Sequence, residues 1–234
     1  MKKQSRKRII GILGGMGPQA SAHLLDLLIE LSVKEFGAKN DNDFPEILLD
    51  SVSVPDFISN HAGENDALKI LKERIKFLNK IQPLCLAIAC NTAHILLEDL
   101  EMVSNAPFIS IIDEVTNSVG RAGLKKVGIL ATPVTLKSGL YQNALAKFNI
   151  ESVEPKDREL KILEIIIRNV IADLSSKKDK NLLVTIANKL INSGAEGIIL
   201  GCTELPLIFS EEQKFPVFNS LEILAMSLLR KYYK

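Results

Sequence analysis

LCLAIACNTAH, residues 84–94, runs apolar into Cys90 and then turns polar at Asn91 and Thr92. A short apolar run bounded by small polar groups reads as a buried strand of a parallel sheet. IILGCTEL, residues 198–205, repeats the design: an apolar strand, a thiol at Cys202, then Thr203 and Glu204. Ligands of open parallel sheets sit beyond the carboxyl ends of the strands, where helix N-termini offer free N–H groups. Both thiols are therefore expected at ligand-binding positions. A helix starting just after a thiol is expected to lower its pKa from about 8.5 toward neutrality. A cysteine at a strand end can equally be a small core residue. The recurrence of the pattern favours a matched pair acting on one molecule, whereas Cys85, flanked by Leu84 and Leu86, reads as packing.

Around these two stretches, short apolar runs alternate with longer amphipathic ones, the pattern of an α/β protein with parallel strands. Strands are expected at 8–13, 46–52, 84–89, 108–112, 126–131, 196–200 and 216–218. Helices are expected at 20–36, 65–81, 92–102, 135–148, 158–174, 178–191 and 221–231. Leu68, Leu71, Ile75 and Leu78 recur at three- and four-residue steps and define one buried helical face. SSKKDK, residues 175–180, reads as a charged turn between helices. Gly11-Ile12-Leu13 and Gly128-Ile129-Leu130 form a weak repeat, and Cys90 and Cys202 follow its two glycines after 79 and 74 residues. The joint spacing suggests two related α/β lobes.

A chain of 234 residues is long enough for a substantial core, and 47% hydrophobic with 24% charged residues is ordinary for a globular protein. A net charge of +1, 5% aromatics and no tryptophan give no support for nucleic acid as a partner. No run approaches the ~20 apolar residues of a membrane span. MKKQSRKR at the start is followed by too short an apolar stretch for an export signal and reads as a solvated tail. Three cysteines without CxxC spacing argue against a disulfide framework or a zinc site, and the expected compartment is the cytoplasm.

Two further motifs have competing readings. His94 lies four residues after Cys90, so a helix could present both as a Cys–His dyad; a histidine one turn inside a helix is more often structural. Residues 15–20, GMGPQA, formally satisfy a relaxed dinucleotide fingerprint. Its acidic partner would fall near Glu35, inside a helical pattern, and the P-loop lysine is missing. The glycines still imply a close backbone approach, and a carboxylate meeting bare N–H groups fits equally well.

Four segments together, GILGGMGP (11–18), ACNTAH (89–94), GILATPVTLKSGLY (128–141) and GCTELPL (201–207), resemble the cofactor-independent aspartate/glutamate racemase family, its aspartate racemase branch in particular. The motifs span nearly the whole chain in the family's order. The resemblance implies two pseudo-symmetric lobes, each a mainly parallel sheet flanked by helices, with the active site in the cleft between them and a homodimer as the assembly. Residues 1–112 with 213–234 would form the lobe carrying Cys90, and residues 113–212 the lobe carrying Cys202. It also implies a two-base mechanism on an amino-acid substrate, without pyridoxal phosphate or metal, with Cys90 and Cys202 as acid and base on opposite faces. Gly15, Met16 and Gly17 would line the pocket. Asn91 and Thr92 on one side and Thr203 on the other would hold the amino and carboxylate groups. Lys161 matches a lysine that binds a substrate carboxylate. Thr132 would line the cleft, and Glu204 would orient a threonine or the substrate ammonium.

One position departs from the pattern. Many aspartate racemases carry an arginine after Pro-Asp in the loop following the second strand; here Pro55 and Asp56 are followed by Phe57. An aromatic ring replaces a guanidinium that could clamp a carboxylate, which turns the expectation away from aspartate as preferred substrate. Asp56 remains a candidate contact, for example to an ammonium group. The resulting expectation is an amino-acid racemase for aspartate, glutamate or a related amino acid. The alternatives are a hydantoin racemase, maleate isomerase or decarboxylase of the same superfamily, or a binding protein on this scaffold without turnover.

Overall fold

The computed structural model describes residues 8–56, 58–209 and 212–234. The basic tail at 1–7 and Phe57 lie outside the described residues. The first half of the chain runs β1 (Ile9–Gly14), α1 (Pro18–Phe36), β2 (Glu46–Ser51), α2 (Glu64–Asn79), β3 (Cys85–Ile88), α3 (Leu97–Glu101), β4 (Phe108–Ile109) and α4 (Ile111–Arg121). The second runs β5 (Lys126–Ala131), α5 (Pro133–Lys137), α6 (Leu140–Ala146), β6 (Glu151–Val153), α7 (Asp157–Ile171), α8 (Lys177–Asn192), β7 (Gly197–Gly201), β8 (Val217–Asn219) and α9 (Ser220–Tyr233).

Two four-stranded parallel sheets result, ordered β2-β1-β3-β4 and β6-β5-β7-β8. The strand order is the same in both, so β1 corresponds to β5 and β3 to β7. The expected doubling of the fold is present. Gly11 pairs with Leu86 and Gly128 with Ile198, and a Cβ on either glycine would come within 2.5 Å or 2.6 Å of that partner's side chain. The repeat in sequence is thus a repeat in packing.

The period of two along each strand divides the core into three layers. Ile10, Ile12, Cys85, Ala87, Val127, Ile129 and Ile199 face a central layer shared by both lobes. Leu13, Leu86, Ile88 and Cys90 face an outer layer covered by α2. Leu130, Ile198, Leu200 and Cys202 face the opposite outer layer, covered by α7 and α8. Both site thiols therefore have the same parity on equivalent strands. On α2 the buried stripe is Ala67, Leu71, Ile75 and Leu78, with Leu68 half-buried beside it. Each buried leucine or isoleucine contributes about 1.5–3 kcal/mol.

Local signals set the helix ends. Gly37, at φ 73°, closes α1: its N–H donates to the Val33 carbonyl at 3.2 Å, and the Ala38 N–H donates to that of Ser32 at 3.0 Å. The SSKKDK stretch is the N-cap of α8: Asp179 N–H donates to Ser176 Oγ, and Ser176 N–H donates to the Asp179 carboxylate at 2.9 Å. The single helix expected at 135–148 is two, interrupted at Gly139 with φ 72°. Residues 92–102 fold as a 3-10 segment (Thr92–Leu96) followed by α3.

The lobes also exchange helices. α4 follows the first sheet but packs against α6 and β8 of the second, while α9 follows the second sheet but packs against α1 and β4 of the first. Residues 213–234 are accordingly divided, β8 completing the second sheet and α9 lying on the first lobe, rather than belonging whole to the first. Among the described residues no helix is long and apolar enough to cross a membrane.

Candidate active site

A cavity of about 300 Å³ opens at the carboxyl end of the first sheet, and Thr132, Cys202, Thr203 and Glu204 of the second lobe are not among its described lining residues. Its described lining includes Gly15, Met16 and Gly17 from the loop after β1, Asp56 from the loop after β2, and Cys90 and Thr92 after β3. Lobe two contributes Arg168 and Ile171 from α7. Gly15 is obligatory: its φ is 88°, and a Cβ there would lie 2.5 Å from the Val52 backbone.

Cys202 follows β7 as Cys90 follows β3, and its thiol donates to Glu204 Oε2 at 3.0 Å. Thr203 Oγ1 donates to the same oxygen at 3.1 Å. Across the cleft, the Gly17 N–H donates to Glu204 Oε1 at 2.9 Å. A bare N–H of the glycine loop thus meets a carboxylate of the chain itself, delivered from the other lobe. The N-terminus of α1, with Pro18 as its first residue, faces this negative charge.

Both thiols are buried, and their acidities run opposite to expectation. Burial, the negative charge of Glu204 next, pushes Cys90 up to about 12, and N–H donors from Ala93 and Thr92 only partly oppose this. Burial, again followed by Glu204, also holds Cys202 well above the ordinary thiol value. The helix-start donors anticipated from the sequence exist, but removal from water outweighs them. With acidities this weak, both residues are protonated at neutral pH. They are close enough for the charge of Cys90 to raise Cys202.

The polar residues behind the thiols tie the lobes together. The Thr92, Thr132 and Thr135 hydroxyls form a closed triangle with edges of 2.8–2.9 Å. Asn91 accepts from the buried Tyr141 hydroxyl at 2.5 Å and donates to Ser220 Oγ at 3.1 Å. Its side chain is thereby spent on α6 and α9 and is not among the described lining residues. Lys161 is exposed on α7 and likewise outside that lining. Phe57 lies outside the described residues.

His94 is structural. Its Nδ1 donates to the Cys90 backbone carbonyl at 2.8 Å, not to the thiol, and its Nε2 accepts the Ile111 N–H at the start of α4 at 3.2 Å. Burial lowers its pKa to about 4, so the ring is neutral. The Cys–His dyad is not formed. Cys85 lies fully buried in the central layer.

Sequence reading missed Arg168 and Ile171, the α7 contribution to the cavity. The available signal was the helical step from Glu164 to Arg168 to Ile171, which puts all three on one face of α7. Tyr141 was quoted in a motif but given no role.

Two lobes of common topology thus each carry a thiol just after the equivalent strand. Residues 13–228 match the model of the Asp/Glu/hydantoin racemase family, and the chain belongs to that family. Over 225 residues it is 28% identical to the broad specificity amino-acid racemase RacX of Bacillus subtilis (strain 168), covering 96% of this chain and 98% of the relative. An aspartate racemase homologue from Pyrococcus horikoshii OT3 superposes with a TM-score of 0.81 at 32% identity, covering 97% of this chain and all (100%) of that one. Picrophilus torridus aspartate racemase gives 0.83 at 31%, covering 97% and 95%.

Proposed function

We propose that this protein racemises free amino acids by a two-base mechanism, with Cys90 serving one face of the α-carbon and Cys202 the other. The observation that carries the reading is the equivalence of the two thiols: each follows the corresponding strand of a repeated sheet, on the same parity, and they are near enough to influence one another's ionisation. Inversion at carbon requires an acid and a base on opposite sides, and two lobes contributing one thiol each supply that arrangement.

In each direction one cysteine, as thiolate, takes the α-proton, leaving a carbanion delocalised into the substrate carboxylate. The opposite thiol gives its proton to the other face. One proton leaves and one arrives, and the two sulfurs exchange protonation states. Because both groups rest as thiols, one proton must first leave; Glu204, which accepts from the Cys202 thiol at 3.0 Å, is the acceptor in contact, and the thiolate left behind is the base. The Thr92–Thr132–Thr135 triangle keeps the cleft floor rigid while this occurs. The reading requires neither pyridoxal phosphate nor metal. A homodimer belongs to it on the strength of the resemblance, and a cytoplasmic location on the strength of the cysteine usage.

The test is to incubate the protein with each L-amino acid in deuterium oxide, without added cofactor, and to follow α-deuterium by NMR and enantiomer ratio by chiral chromatography. Exchange with formation of the D-enantiomer supports the reading. No exchange with any amino acid would make the chain a binding protein on a racemase scaffold.

A further inference from the structure

The charges at the cavity are arranged against a second substrate carboxylate. Arg168 is the only basic residue among the described residues lining it. Every nitrogen of its guanidinium already has an acceptor: Nη1 donates to Asp56 Oδ2 at 3.0 Å, Nε to Glu164 Oε1 at 3.2 Å, and Nη2 to Ser59 Oγ. One positive charge thus faces two carboxylates. Asp56 is fixed in turn, its other oxygen accepting the Ile58 N–H at 3.0 Å. The remaining wall, with Met16, Val54, Ile58 and Ile171, is apolar.

We propose that Asp56 and Arg168 form a specificity-determining pair in which Asp56 fills the place a side-chain carboxylate would take, so that the site selects amino acids without one. This rests on the racemase reading and deepens it. Aspartate or glutamate must displace Asp56 from Arg168 and then sit beside two anions. A neutral side chain meets the apolar wall and leaves the pair intact. The pair is about half exposed, 43% for the Arg168 side chain and 53% for Asp56. Water therefore screens it, and the discrimination is a matter of several-fold rather than of absolute exclusion.

The experiment compares kcat/KM for aspartate and glutamate with that for methionine and leucine, in wild type, Asp56→Asn and Asp56→Asn/Arg168→Met. The wild type is expected to prefer the neutral pair. Asp56→Asn frees the guanidinium and should raise the acidic-to-neutral ratio by at least about fivefold, mainly through KM. The double variant should lose that gain, which a loosened loop alone would not produce. Calorimetric titration with aspartate and methionine reads the same ratio as affinities. It decides the pair even if no amino acid is turned over, an outcome that would sink only the racemase reading. A wild type that takes aspartate as readily as methionine, or a ratio unmoved by Asp56→Asn, overturns the proposal.

Discussion

Gly17 and Glu204 meet across the cleft, the backbone N–H of one lobe donating to a carboxylate oxygen of the other at 2.9 Å. The second oxygen of Glu204 holds the Cys202 thiol, so a single side chain joins the glycine loop to that thiol. The negative charge of Glu204 is also, after burial, the next cause that raises both thiols.

Glu204→Gln removes that charge while keeping an oxygen for Gly17. Both thiols should then ionise at lower pH, and the pH dependence of iodoacetamide alkylation should shift to the acid side. Racemisation should fall by about tenfold or more, because the amide no longer accepts from Cys202. Alkylation profiles that superpose for wild type and variant would show that Glu204 does not govern the thiols.

Cys90→Ser and Cys202→Ser should each lower racemisation by about 100- to 10,000-fold, the usual range for a lost general acid or base. A serine hydroxyl is too weak an acid to replace either thiol. Cys85→Ala should retain turnover and show only a packing loss in thermal unfolding. Near-wild-type racemisation by either site variant would remove that thiol from the mechanism.

His94 gives the fold a defined acid sensitivity. Its pKa falls from 6.5 to about 4 on burial, so the unfolded chain binds the proton more tightly. The stability held by the neutral ring is fully present above pH 6.5 and is lost as pH falls through 4. The shift corresponds to roughly 3 kcal/mol. Urea unfolding of wild type at pH 7 and pH 4, set against His94→Gln, should show a smaller drop in the variant by about that amount. Equal drops would mean that another group controls acid unfolding.

The repeated sheet was legible because fully buried parallel strands leave short apolar runs, and the thiols were legible because each run ends on one. The segment FISIID was harder. Its apolar residues read as one strand at 108–112, yet β4 stops at Ile109 and α4 begins at Ile111. The Ser110 cap, which accepts the Asp113 N–H, and the four-residue step of Ile111, Val115 and Val119 were the overlooked signals. β6 was missed because Glu151–Val153 is only three residues long. For Arg168 the helical step marks a shared face of α7, but only its contacts with Asp56 and Ser59 show that this face borders the cavity. The thiol acidities failed for a different reason. Sequence reveals helix starts, but desolvation depends on what closes over them.

The exchange of α4 and α9 makes the molecule a domain swap carried out within one chain. A polypeptide cut after the first sheet would keep β1 to β4 but lack α9, leaving the face of α1 on which Leu221, Leu224 and Leu228 belong open to water. The complementary fragment would lack α4 against α6 and β8. Each half alone would thus expose an apolar helix face, and the two cannot swing apart as rigid bodies without shearing two helix interfaces at once. Beside the cavity the lobes are joined by side chains instead, Asp56 and Ser59 meeting Glu164 and Arg168 of α7.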